Sequence, residues 1–523
     1  MTRRVEEIAD WAASLARDDI PDDVVSLARA QRRSVLGAMA ASVNDAASRR
    51  VLAGVDRWAS DGPVRVPGCD RAMRVDDALY AAAALSIALD FDDYACFGHT
   101  GHSAVLAPIL LAAEAGASAD EQLVAHVVAN EVEARLGGAC LVGPLNGQLW
   151  SFIHAAGTAL AAGRLLGLDR GPLAHALALA LYQAPRPTVP GFMAPDSKLL
   201  TAAEPAVAGL RAARLAAAGV TGPLDALDSP EGFLSAFSYA PIPGLLGGLG
   251  EGWATRTLCV KPYPGCAYVD TVVDALLSLD LPPATDVARV DVDASLLTIG
   301  MDALSRPYAG TGPPSPVSVN FSVAWNVAIV LLGGELTPTQ VSEAWLAANH
   351  TRLAELAATV VLSHDWTLTA AASEHFARLL PPRAVVASAG GGRLVRALRQ
   401  VRAAHPSMIT GVGDLRGASA MLRSPRGLAR VAGRRRFWSP DAIDEFAMTF
   451  PARVRVHPHT GAVLEAEASI PRGGAGHPTE GPEAVSRTKL AAWGPQAWGE
   501  SGTKAIAEAI DTDAPDLWSL LRI

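Results

Sequence analysis

Residues 241–252 read PIPGLLGGLGEG, and the chain changes character across them. Two prolines and five glycines in so short a run interrupt both helical and strand periodicity, which marks a boundary. Upstream, Ala- and Leu-rich segments carry an apolar face at helical spacing: 5–17, 22–42, 76–89, 119–136, 152–166, 172–182 and 200–217. Asp120 and Glu121 open one of them, and Gly167 follows another, as helix start and stop signals. Downstream, ARVDVDA (288–294) alternates apolar and charged residues as a half-buried strand does. Segments 450–456 and 462–469 flank a short connection holding Thr460 and Gly461, which predicts a hairpin. Helical patterns recur at 321–332, 339–348 and 486–521. The chain therefore reads as mainly α: a large all-helical domain followed by a smaller α+β domain, with the C-terminal helices free to return to the first.

Composition narrows the class. Of 523 residues, half are hydrophobic and 19% charged, enough apolar surface for a large core. A net charge of −9 argues against a nucleic-acid partner. Five cysteines, none in C-x-x-C spacing, give no zinc or disulfide framework and fit a reducing cytoplasm. The start, MTRRVEEIADW, has no apolar h-region, and Pro108 and the 143–148 segment break the most apolar stretches before membrane length. There is no P-loop, no GxGxxG between strand and helix, no HExxH and no Gly-x-Ser-x-Gly elbow.

The positive charge is unevenly written. Of 44 cationic residues only Lys198, Lys261, Lys489 and Lys504 are lysine. Lysine is a compact charge whose pKa responds to burial, so the few that remain invite a specific role. Residues 393–436 carry eleven arginines and one acid, Asp414. That segment reads either as a solvated surface insertion or as a landing site for an acidic partner: a phosphopantetheine carrier protein, coenzyme A or nucleic acid.

Chemistry-bearing residues concentrate in three places. LDFDDYACFGHTGHS (89–103) sets Asp90, Asp92, Asp93 and Tyr94 before His99 and His102. Crowded carboxylates beside histidines suit general acid–base work, can also bind a divalent metal, or can simply cap helices. Lys198 precedes a long helix, where a cation is disfavoured by the helix dipole unless an anion is shared there. Lys261 lies in KPYPGC (261–266), where Pro262 and Pro264 hold the chain extended. Both lysines are candidates to neutralise a carboxylate.

Seven pieces in order resemble the 2-methylcitrate dehydratase family (MmgE/PrpD-like), which includes cis-aconitate decarboxylase: LDFDDYACFGHTGHS, EVEARLG (131–137), AAGRLLGLD (161–169), DSKLL with GVTGPLDAL (196–226), KPYPGC, FSVAWNVAIVLLGGELTPTQ (321–340) and the 450–471 hairpin. The resemblance implies a helical domain from residues 1–250 and 472–523 and an α+β lid domain over 251–471, with an Arg-rich insertion at about 370–440. It implies a homodimer without a cofactor, acting as a lyase on small carboxylates, with a site between the domains. By matching position that site includes Asp90, Tyr94 (often Thr in the family), His99 or His102, Lys198 and Lys261. Gln148 and Trp325 stand where the family has His and Tyr, and Ala267 and Asp270 where it often has Arg and His. Gln cannot exchange a proton usefully, and Trp can donate a hydrogen bond but not a useful proton; together with the Arg-rich insertion, these departures from the family imply a substrate other than methylcitrate.

The expected reaction is dehydration of a β-hydroxy di- or tricarboxylate. Lys198 and Lys261 would hold carboxylates, Asp93 or His99 would act as base, Tyr94 or His102 would assist the leaving group, and Asp90 would orient a neighbour. Decarboxylation, isomerisation or cyclisation through the same enolate-like charge, a metal-dependent hydrolase built on the Asp90–His102 cluster, and a non-catalytic carrier-binding scaffold are the alternatives.

Overall fold

The computed structural model describes residues 3–96, 98–143, 151–308, 312–404 and 436–521. The fold is mainly α, with a small four-stranded mixed sheet and a two-stranded antiparallel pair among the described residues. The longer helices of the first part are α1 (Asp22–Ser42), α2 (Val75–Ile87), α3 (Ala119–Ala139), α4 (Ser151–Leu165), α5 (Arg170–Tyr182) and α6 (Leu200–Ala217). α6 and α3 flank α4, so α4 is buried over nearly its whole length. Its alanines and glycines permit that close approach. Ser118 caps α3 and receives Glu121 in return, a capping box at the predicted start.

Beyond the boundary come α7 (Ala267–Leu277), α8 (Leu296–Ser305), α9 (Val323–Gly333), α10 (Glu343–Ala358), α11 (Trp366–Leu379), α12 (Pro382–Ala389) and α13 (Gly391–Ala404). α14 (Pro482–Trp493) and α15 (Pro495–Asp511) follow, and both pack on α1 of the helical part. A Cβ at Gly37 of α1 would lie 2.9 Å from Lys489 Cγ, so glycine there lets α14 approach closely.

Two strands cross the boundary. β1 (Asp93–Ala95) pairs antiparallel with β2 (Leu258–Val260), setting Asp93 opposite Val260. The main sheet holds β3 (Val287–Ala294), β4 (Val360–His364), β5 (Ala452–Pro458) and β6 (Leu464–Ala468), in the order β4-β3-β5-β6. β4 runs parallel to β3, and β5–β6 is the antiparallel hairpin expected from the alternation. Val290, Val292, Val454 and Val456 turn one face onto α7 and α9 in a core shared with Ala38, Ala41 and Phe91.

The Pro/Gly-rich 241–252 segment is not an open linker. Ile242, Leu245 and Leu246 are buried, and Arg135 of α3 donates to the carbonyls of Gly247, Gly248 and Gly252. Trp438 stacks over the Arg135 guanidinium at 4.6 Å and donates to Leu245 O at 2.7 Å. The arginine-rich segment is likewise only partly a solvated surface. Arg393, Arg396, Arg399 and Arg402 are exposed on α13, but α11 and α12 pack inward through Leu379 and Ala389; residues 405–435 lie outside the described residues. All five cysteines are buried and unbonded to one another. Among the described residues no helix is long and apolar enough to cross a membrane.

Candidate active site

α2 ends at Ile87, and Asp90 then adopts a left-handed backbone (φ 53°), uncommon outside glycine. The turn brings Asp90 and Asp92 onto a shared lysine and turns Asp93 elsewhere. Asp90 takes Lys198 Nζ at 3.0 Å and Lys261 Nζ at 3.1 Å. Asp92 takes Lys261 Nζ at 2.7 Å on one oxygen, and His99 Nδ1 at 2.7 Å and His102 Nε2 at 3.1 Å on the other. All but His99 are buried. The sequence pieces 89–103, 196–200 and 261–266 thus meet in one chain of alternating charges.

The lysines expected to receive substrate carboxylates receive those of Asp90 and Asp92. Burial would lower Lys261's pKa, but Asp90 and Asp92 outweigh it and raise it. Burial opposes ionisation of Asp92 too, yet Lys261, His99 and His102 hold its carboxyl well below the usual range. Lys198 also lies against the faces of Phe192 and Phe321, and burial leaves its pKa lowered despite Asp90.

Lys489 completes the convergence. From α14 its Nζ donates to Phe91 O (2.9 Å), Asp92 O (3.2 Å) and Ser34 Oγ (3.1 Å), over the Phe91 ring. Burial lowers its pKa to about 7. Three of the four lysines therefore surround residues 90–93; Lys504 alone is exposed. Sequence reading placed Lys489 only in the returning helix, because nothing local signals a contact with residues so distant in the chain.

Asp93 points away from this group. It accepts from Gln31 Nε2 at 2.6 Å, and burial with the Asp92 charge raises its pKa to about 7. Because the folded-state value is raised, the stability it contributes is complete below about pH 4 and is lost as pH rises toward 7. Asp93→Asn lacks that loss. Its melting temperature relative to the native chain should therefore rise by several degrees between about pH 5 and about pH 8.5; a pH-independent difference would contradict the assignment.

His99 and His102 have different surroundings. His102 is fully buried, with Nδ1 against Ser86 Oγ at 2.8 Å. His99 is 24% exposed and forms part of the wall of a cavity of about 480 Å³, together with Tyr94, Cys266, Tyr268 and Phe450. Tyr94 is buried, with its ring 6.0 Å from that of His99, and burial raises its pKa well above normal, so its hydroxyl stays protonated.

Behind His102 lies a second buried group that sequence reading missed. Ser103 Oγ donates to Glu133 Oε1 at 2.7 Å and meets His154 Nδ1 at 2.7 Å; the His102 and His154 rings are 5.7 Å apart. Burial raises Glu133 and lowers His154, so both are held neutral. EVEARLG was the only signal for Glu133, and none marked His154. Trp325 is not brought to this group: it stacks on His350 of α10, 6.2 Å between ring centres. Gln148 lies outside the described residues. Asp92, His99 and His102 offer ligand atoms within 4.8 Å of one another and so could hold a metal ion, although Lys261 already pairs with Asp92.

Residues 6–244 match the MmgE/PrpD N-terminal domain. Cis-aconitate decarboxylase of Aspergillus terreus is 27% identical over 367 residues, covering 64% of this chain and 73% of the relative; the protein of that name from strain NIH 2624 / FGSC A1156 matches equally. Residues 6–244 therefore carry the MmgE/PrpD N-terminal domain, and the chain as a whole is similar, at a distance, to these decarboxylases.

Proposed function

We propose that this chain is a lyase that eliminates water from a β-hydroxy acid, with His99 as the proton-transferring group. The observation that carries the reading is the double placement of His99, whose Nδ1 is hydrogen-bonded to Asp92 while its ring faces the cavity. A carboxylate on Nδ1 sets the tautomer and stabilises the imidazolium formed when the ring takes a proton. His99 removes the proton α to the substrate carboxylate; the C–H electron pair forms the C=C bond; the β C–O bond breaks, and the imidazolium returns its proton to the departing hydroxide as water. The protonated Tyr94 hydroxyl would orient the substrate beside it. The Lys198–Asp90–Lys261–Asp92 chain fixes this apparatus rather than binding substrate directly, since its members are buried. The protein would work without a metal or organic cofactor, and as a homodimer.

Decarboxylation is the second reading, favoured by the likeness to cis-aconitate decarboxylase. It needs only the return of a proton to carbon after carbon dioxide leaves. Mass analysis of products from a panel of β-hydroxy and β,γ-unsaturated acids separates the two. Loss of water supports the first reading, and loss of carbon dioxide without water replaces it with the second.

A further inference from the structure

We infer that the substrate is a monocarboxylic acid with a bulky apolar body rather than a di- or tricarboxylate; this rests on the lyase reading above and narrows its substrate class. The cavity at His99 is about 480 Å³, within the roughly 300–1,000 Å³ of small-molecule sites. One side is built by the segment that begins at α11: Ala372, Phe376, Ala377 and Leu380 line it together with Met448 and Phe450, the Phe376 and Phe450 rings lying 6.1 Å apart. Its polar side chains are Tyr94, His99, Tyr268, Ser295, Thr369 and Ser373, and no Lys, Arg, Asp or Glu is among the described residues that line it.

Among the described residues, Lys198 and Lys261 do not supply a charge to this wall either. Lys198 and Lys261 are fully buried and paired with Asp90 and Asp92, so a substrate carboxylate would have to displace a buried carboxylate to reach them. Enclosing two or three carboxylates against these walls would strand charges at a cost of several kcal/mol each. One carboxylate beside His99 is compatible with the wall. The remaining surface rewards apolar contact, at roughly 25 cal/mol per Å² removed from water. The segment after β4 thus acts as the specificity-determining wall of the cavity.

Calorimetric binding to the full chain at neutral pH tests this with 3-hydroxy-3-phenylpropanoate, 3-hydroxyoctanoate and citrate. At least one of the two apolar acids should bind more tightly than citrate. Ala377→Trp should fill the cavity and weaken that binding about ten-fold or more, which corresponds to at least about 1.4 kcal/mol. Ser373→Trp, at an exposed position on the same wall, provides a second variant should the first fail to fold. Tighter binding of citrate, no binding of either apolar acid, or unchanged affinity in the folded tryptophan variants would overturn the inference. Binding is read without turnover. Apolar acids that bind but lose neither water nor their α proton would sink the lyase reading and leave this substrate class standing.

Discussion

Replacing Lys261 by methionine should destabilise the protein by about 3–5 kcal/mol, the usual cost of removing one partner from a buried ion pair. Lys261 Nζ lies between Asp90 and Asp92, 3.1 and 2.7 Å away, and also donates to the Asp90 carbonyl at 3.0 Å. Methionine keeps the stem and removes the charge. Asp90 retains Lys198, but of the direct partners of its carboxylate Asp92 keeps only the two histidines. The sign of the pH dependence follows from Asp92, whose folded-state pKa is depressed below 3.8 by Lys261 and the histidines against the opposing effect of burial. The stability it contributes is present above that value and is lost as acid titrates the folded carboxylate. The gap between native chain and variant should therefore be full at neutral pH and narrow in strong acid. Lys504→Met, at the exposed lysine of α15, should change stability by no more than about 0.5 kcal/mol. Denaturant melts of the three proteins check this; a Lys261→Met chain as stable as the native one would show that the buried charges are not coupled as described.

His99→Gln should lower turnover by about 10²–10⁴-fold while leaving the fold intact. The side chain is partly exposed, and its removal leaves Asp92 still held by Lys261 and His102. Melting should therefore move little. His102→Gln should behave in the opposite sense, losing stability first, because that ring is buried between Ser86 and Asp92. Equal loss of turnover and stability in both variants would remove the distinction on which the site assignment rests.

Much of this architecture is legible in the sequence wherever periodicity is local. The helices expected at 22–42 and 200–217 have those limits in the structure, and the alternation at 288–294 and the Thr460–Gly461 connection give the strand and hairpin observed. The acidic–histidine segment and two of the three buried lysines were also singled out. What could not be read is the pairing among remote residues. Nothing in a sequence window says that Lys198 and Lys261 face Asp90 and Asp92 rather than a ligand. Nor does one say that Lys489 passes Gly37 to reach the same loop. His154 sits on a helix with an apolar periphery and resembles any core position until α3 places Glu133 opposite it. The cavity is the clearest case, since its walls come from segments near 94–99, 266–268, 295–297, 369–382 and 448–450, none of which carries a motif for the others.

The most direct measurement is deuterium uptake from heavy water at the α-carbon of 3-hydroxy-3-phenylpropanoate, followed by NMR with the native chain and with folded His99→Gln. Incorporation by the native protein and its loss in the variant are the expected results. Undiminished exchange in His99→Gln, or none in the native chain once the acid is bound, would contradict His99 as the group that moves the proton.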